Sequence, residues 1–314
     1  MNTRPYKEKL SKTFWLGSQL WVLLLAGVAM FTPGCQTRSQ KENLSVLTTV
    51  KQVRDLSPED AERAYPVHLR GICTYYDLVS KRLVIQDNGT AILVDASQTS
   101  ISVEPGQEVE IEGLTGREDA SSIINSSSLT GLALMKMPDA QKVSVNDLAS
   151  GKYSYLWVEA EGFVRSATLA SEGQGFLEIA SEAGKFQVCV ANRSQGVSSF
   201  VDAKVRVRGV SHTIINTRGV AIRLQILASR LDNISVKEAS PDDPFSIPVQ
   251  SIEKVIQIAQ QTPSGHRLRA QGVVRQQPNG DLFIHDETGE FQIKTLLMLP
   301  CGRGAGWTWW GFLP

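Results

Sequence analysis

The sequence predicts an all-β protein: tandem small Greek-key barrels, two complete and a third incomplete, with short lead-in helices and an apolar helix at the N-terminus. Three observations predict it. Strand-like alternation recurs along the chain, as in Val67-His68-Leu69-Arg70-Gly71. The alternating runs are short and are split by turn signals such as Asp87-Asn88-Gly89-Thr90, where Asn-Gly supplies the positive φ of a tight hairpin. The design recurs twice more along the chain, the last time only in part, with complete units of roughly 90 residues.

The chain opens on a segment that stands apart from the barrels. Arg4, Lys7, Lys9 and Lys12 precede an unbroken apolar run, Leu20 to Phe31. That order of charge and apolar length is the pattern of an export segment, so residues 1–40 read as a signal peptide or membrane anchor. Thr32-Pro33-Gly34-Cys35 resembles a bacterial lipobox, in which Cys35 would carry the lipid, although Thr32 stands where that motif prefers Leu. The competing reading is an uncleaved anchor from Phe14 to Phe31, just long enough to span a bilayer. Either form predicts an exported, membrane-attached, extracytoplasmic protein whose membrane contact is this segment.

The first unit, 45–138, begins with a polar–apolar lead-in. Ser57-Pro58-Glu59-Asp60 is a helix start with Pro at the first position. The long strand through Gly71 follows, then Leu83 to Ile85, the Asn-Gly turn, and Ile92 to Val94. Gly inside a strand marks a bulge or bend, which a small barrel needs. Pro105-Gly106 then leads into Val109-Glu110-Ile111-Glu112-Gly113. The second unit, 143–238, repeats this with Trp157 to Val164, Phe176 to Ile179, Phe186 to Val190 and Val205 to Val210. The third, 247–295, repeats it only in part: a helical spacing of Ile252, Val255, Ile256 and Ile258, then Leu268 to Val274, Leu282 to Ile284, Asp286 to Gly289 and Phe291 to Ile293. Pro and charge break the pattern at Met137-Pro138-Asp139 and Pro241-Asp242-Asp243-Pro244.

The order of these features resembles an OB-fold: a first strand with a mid-strand Gly, a hairpin around Asp-x-x-Gly, and Pro-Gly-x-x-Val-x-Ile-x-Gly. The run LTTVKQVRDLSPEDAERAYPVHLRGICTYYD with LVIQDNGTAILVD resembles, over about residues 45–295, the extracytoplasmic input region of certain bacterial sensor histidine kinases. Related regions also precede diguanylate cyclase domains. The resemblance implies a sensor ectodomain of a two-component system, with an unknown small ligand or protein partner and no catalysis of its own. An exported carbohydrate- or nucleic-acid-binding module, or a structural lipoprotein, is the alternative.

Few residues announce a site. In OB-folds the barrel face binds ligand, so Arg70, Tyr75 and Tyr76 form a candidate ligand face, with aromatic stacking from the tyrosines. Against this, adjacent strand residues point to opposite sides, so one Tyr belongs inside the barrel and its neighbour on the surface. Trp157 reads as barrel core. Asp87, Glu182 and Asp286 recur in turns and read as turn chemistry rather than metal ligands. His68, His212, His266 and His285 lie in separate segments and read as isolated strand histidines. Cys73 and Cys189 read as small buried hydrophobes. No phosphate loop, metal spacing, cofactor motif or catalytic triad is legible, and the zero formal charge argues against nucleic acid.

The tail, 296–314, leaves the pattern. Three of the six tryptophans fall at Trp307, Trp309 and Trp310. Trp has one codon, TGG, and Thr is ACN. Read from the third base, the Trp307-Thr308 junction gives Asp, Trp309-Trp310 gives Val and Trp310-Gly311 gives Gly. The flanking junctions permit Val-Arg-Pro-Gly-Ser-Arg-Val-Asp-Val-Val-Gly-Phe-Pro, in register with Val103 to Thr115. Residues 296–314 are therefore expected to be an aberrant tail from a frameshift between Thr295 and Cys301 in a gene for a longer sensor. The expected result is a third barrel with its fourth strand missing and the tail misplaced.

Overall fold

The structure is a computed structural model. It describes residues 306–311 and residues 44–293, apart from 101, 119–120, 171–172, 193, 217, 219, 262–264 and 278–280. The export segment with Cys35, and residues 296–305 of the tail, lie outside the described residues. Among the described residues no helix is long and apolar enough to cross a membrane.

The fold is all-β, as the alternation predicts. Two short helices lead in, α1 (Val50–Arg54) and α2 (Pro58–Ala61). Thr49 and Gln52 form a capping box on α1, and Ser57 caps α2 with Pro58 in the first turn. The first barrel is β1 (Pro66–Asp77), β2 (Arg82–Asp87), β3 (Thr90–Asp95), β4 (Gln107–Glu118) and β5 (Ser121–Leu134), closed in the order β1-β2-β3-β5-β4. All neighbours are antiparallel except β3 and β5, which pair Val94 with Ile124 in parallel. Leu69, Leu83, Ile85, Ile92, Ile111, Ile124 and Leu129 fill its interior.

The second unit repeats this plan. After β6 (Gln141–Lys142) and α3 (Val145–Ala149) come β7 (Trp157–Leu169), β8 (Gly175–Ser181), β9 (Gly184–Val190), β10 (Lys204–Ile215) and β11 (Ala221–Ala228). They close in the order β7-β8-β9-β11-β10, again with the third and fifth strands parallel. An extra strand, β12 (Ile234–Glu238), lies along β10.

The third unit has β13 (Val249–Gln250), α4 (Ile252–Gln261), β14 (Leu268–Gln276), β15 (Leu282–His285), β16 (Glu290–Ile293) and β17 (Gly306–Gly311). Here the tail corrects the expectation of a missing fourth strand. β17 pairs antiparallel with β14, in the place β4 takes beside β1. The register is the same in all three units: Gly71 faces Val109, Gly162 faces Val205 and Gly272 faces Trp307, while Gly113, Gly209 and Gly311 close the strands four residues on. In this register Trp307 and Trp309 stand where β4 has Val109 and Ile111, and Trp310 where it has Glu112.

The mid-strand glycines serve close approach rather than a bulge. A Cβ on Gly162 would lie 2.5 Å from the Ala180 carbonyl oxygen, and one on Gly272 would lie 2.4 Å from that of His285. The bulges come later, at Cys73–Tyr75 in β1 and Val164–Ser166 in β7.

A third apolar cluster lies between the two closed barrels. Tyr75, Val84, Leu93 and Ile123 from the first pack on Tyr155, Trp157, Ala191 and Val210 from the second, with Met137 and Ala140 of the linker. Hydrogen bonds rim it. Asn192 Nδ2 donates to the Tyr76 and Ser229 carbonyls at 2.8 and 3.1 Å, and its Oδ1 accepts from Leu78 N at 3.2 Å. Trp157 N donates to Gln86 Oε1 at 3.1 Å, and Gln174 Nε2 to Asp77 Oδ2 at 3.2 Å.

Candidate functional site

Arg70 sits on the exposed face of β1, two residues from His68. Opposite, β4 presents Glu110. Arg70 Nε and Nη2 donate to Glu110 Oε1 at 2.9 and 2.8 Å, and His68 Nε2 stands 2.9 Å from the same oxygen. The Arg70 hydrogen bonds hold the Glu110 carboxyl below the usual carboxylate range. Arg70 therefore has a fixed direction while most of its side chain remains in water, 63% exposed.

A cleft of about 370 Å³ opens beside it. Its wall is Arg70-Gly71-Ile72, its end is the β2–β3 turn from Gln86 to Gly89, and Glu108, Met135 and Pro138 complete it. Asn88 and Gly89 both hold positive φ, 45° and 77°, as the Asn-Gly hairpin predicts. Pro138 also borders a second cavity of about 600 Å³ between linker and second barrel, lined by Lys142, Trp157, Glu159, Arg206 and Arg208. A molecule in the first cleft thus touches the segment that joins the barrels.

The second barrel has the same cleft with its charges inverted. Glu161 replaces Arg70, Arg206 replaces Glu110, and Lys204 replaces Glu108. Arg206 Nε donates to Glu161 Oε1 at 2.7 Å, and Arg208 Nε to the buried Glu159 at 2.8 Å. This cleft, about 620 Å³, is bordered by Gly265 and His266 on the way into β14. His266 Nδ1 lies 2.8 Å from the Asp202 carbonyl, its ring meets Phe163 edge-on at 4.9 Å, and Arg165 Nη1 donates to Gly265 O at 2.7 Å. So His266 is a joint between the second barrel and the third unit, not an isolated strand histidine.

The tyrosines do not join the cleft. Tyr76 points into the first barrel and Tyr75 into the inter-barrel cluster, 4% and 5% exposed. Burial pushes both phenols up. The alternation rule places one Tyr inside correctly, but a neighbouring barrel covers the other, so the stacking face expected of Tyr75 and Tyr76 is absent. The same packing places Trp157 between barrels rather than in a barrel core. Cys73 and Cys189 are buried, and desolvation raises their thiols to about 12 and about 11.

Asp286 behaves as turn chemistry predicts. It accepts from Thr288 N at 2.7 Å and Gly289 N at 3.1 Å, and its other oxygen accepts from Ile252 N at 2.9 Å at the start of α4. Among the described residues no cluster of His, Cys, Asp and Glu could hold a metal ion. Of the predicted site residues only Arg70 lines the cleft. Glu108, Glu110, Met135 and Pro138 were missed. For the two glutamates the sequence signal was the alternation of acids along β4, which sets Glu110 opposite Arg70; for Met135 and Pro138 there was none.

No protein-family model and no curated protein matches the chain. Solved structures that resemble parts of it include the Escherichia coli hypothetical protein ygiW, at 24% identity over 28% of this chain and 90% of that one, TM-score 0.23. A murine DNA binding protein bound with double-stranded DNA aligns at 11% identity over 56% and 99%, TM-score 0.29. The S. pombe Stn1-ten1 complex aligns at 14% over 29% and 77%, TM-score 0.23. At these TM-scores the likenesses carry no weight for function, and the fold rests on strand order and register.

Proposed function

We propose that this chain is the non-catalytic extracytoplasmic binding region of a bacterial signal-transduction protein of the histidine-kinase type. Its ligand is a small polar molecule held in the cleft beside Arg70. The observation that carries the reading is the place of that cleft: a directed guanidinium on one side, Asp87 and Glu108 nearby, and the inter-barrel linker at Met135 and Pro138 as its lip. A ligand with an anionic group for Arg70 and hydrogen-bond donors for the acids would change how the linker packs. The resemblance of residues 45–295 to sensor input regions and the export pattern of residues 1–40 support the signalling context. Small-ligand sites are concave with a few convergent polar groups, which this cleft matches.

The test is a thermal-shift screen of the full chain in detergent against amino acids, dicarboxylates and monosaccharides. One class should raise the melting temperature, since a ligand at about 100 times its Kd adds about 2.7 kcal/mol. Arg70→Gln should abolish the shift without lowering the ligand-free melting temperature appreciably. A shift that survives Arg70→Gln, or none from any class, contradicts the proposal. Retention on single-stranded DNA at low salt would favour the nucleic-acid alternative instead.

A further inference from the structure

Lys204-Val205-Arg206-Val207-Arg208 alternates, so β10 buries Val205 and Val207 in the second barrel and sets Lys204, Arg206 and Arg208 on its outer face. The first barrel has Glu108, Glu110 and Glu112 at the matching positions. The neighbouring strands complete a row. Lys142 of β6 pairs with Glu159 of β7, and Glu159 pairs with Arg208 of β10, so the three side chains share one face with Glu159 in the middle. Glu159 is 7% exposed. One of its oxygens accepts from Arg208 Nε at 2.8 Å, and the other lies 3.3 Å from Arg206 Nε. Both guanidiniums are thus held through Nε. Among the described residues their Nη nitrogens donate no hydrogen bond, and Lys142 has neither a hydrogen bond nor an ion pair. These groups line the cavity of about 600 Å³ between the linker and the second barrel. Met137, Pro138 and Ala140 of the linker, with Trp157, supply its apolar lining.

We propose that this cavity is a second ligand site, and that it takes an organic carboxylate with an apolar body. A guanidinium presents two parallel donors to a carboxylate, and the Nη pairs of Arg206 and Arg208 are the donors left for it. The two arginines stand two residues apart on one face, about 7 Å along the strand, close enough to share one ligand. Lys142 adds a compact positive charge across the row. The apolar body lies against the linker and Trp157. Asp139, Glu159 and Asp232 also line the cavity. Like charges brought together are costly, so the ligand carries a single negative charge, which excludes polyphosphates. The volume falls in the range of small-molecule sites. This cavity and the Arg70 cleft share Pro138 alone, so the inference does not rest on the reading of that cleft.

Calorimetric titration of the full chain in detergent with 2-naphthoate tests it, at low salt and with a titration into detergent alone as the blank. 2-Naphthoate should bind. 2-Naphthamide, which has the same body without the charge, and inorganic phosphate, which has charge without the body, should each bind at least ten-fold more weakly. Arg208→Gln should weaken 2-naphthoate at least ten-fold. That variant also takes a partner from buried Glu159, so Lys142→Gln, which removes no contact among the described residues, is measured beside it and should weaken binding about three-fold. Arg70→Gln should leave 2-naphthoate binding unchanged, which keeps the two sites distinguishable. No binding of 2-naphthoate, equal affinity for the amide or for phosphate, or affinity unchanged in both Arg208→Gln and Lys142→Gln overturns the proposal. So does loss of 2-naphthoate binding in Arg70→Gln.

Discussion

A Cβ built on Gly162 would sit 2.5 Å from the Ala180 carbonyl oxygen, which is backbone and cannot step aside. Gly162→Ala should therefore cost about 1–3 kcal/mol, the range for forced overpacking, whereas Gly89→Ala meets nothing within 4 Å and strains only its positive φ. Chemical denaturation of the two variants checks this, and an equal loss in both would refute the close-approach account. Glu118 provides a pH-dependent case. Its hydrogen bonds from Arg82 lower its pKa from an ordinary value of 4.5. A carboxyl with a depressed folded pKa stabilises above the unfolded value and loses that contribution as pH falls through the folded one. Glu118→Gln should thus lower stability at pH 7 and leave it nearly unchanged well below pH 4.5. The effect is small, because both partners are partly in water. A variant with the same deficit at every pH would show that the pair is not its source.

At the scale of elements, the decisive unit is the cluster between the barrels. Trp157 is buried there beside Tyr155 and Val210, against Tyr75 and Leu93 of the first barrel. Trp157→Ala should cost about 3–5 kcal/mol and, because the loss falls on the interface, should split one calorimetric transition into two. A single transition, merely shifted, would place the tryptophan's role inside the second barrel. The strands themselves were legible in the sequence: Asp87-Asn88-Gly89 gives the hairpin, Ser57-Pro58 the start of α2, and Ile252, Val255 and Ile256 the inner face of α4. The interface was not legible. Alternation assigns Tyr75 to the outside of a barrel without saying that a second barrel stands there, and Trp157 lies on the matching outside face. β17 was hidden for another reason. Its register follows Gly311, which sits where Gly113 and Gly209 sit, but bulky tryptophans in place of valine and isoleucine mask the pattern. The cleft was half legible: Arg70 stood out, but its partner Glu110 is 40 residues away and is brought near only by barrel closure.

At the scale of the whole molecule, two closed barrels pack against each other through a shared apolar cluster, followed by a third unit in which, among the described residues, no strand joins β16 to β17. Closed barrels have no free edges, whereas the described strands of the third unit do not close, and among the described residues its apolar cluster is smaller, built around Ile252, Val255, Ala270, Val274 and Ile284. Stability should be graded accordingly, since regions with few buried contacts open first. Native-state hydrogen exchange on the full chain tests this most directly. The account predicts that amides of β1 to β5 and β7 to β11 exchange with one common opening free energy, and that β14 to β16 open at a distinctly lower one. Separate opening energies for the two barrels, or protection in the third unit equal to theirs, would contradict it.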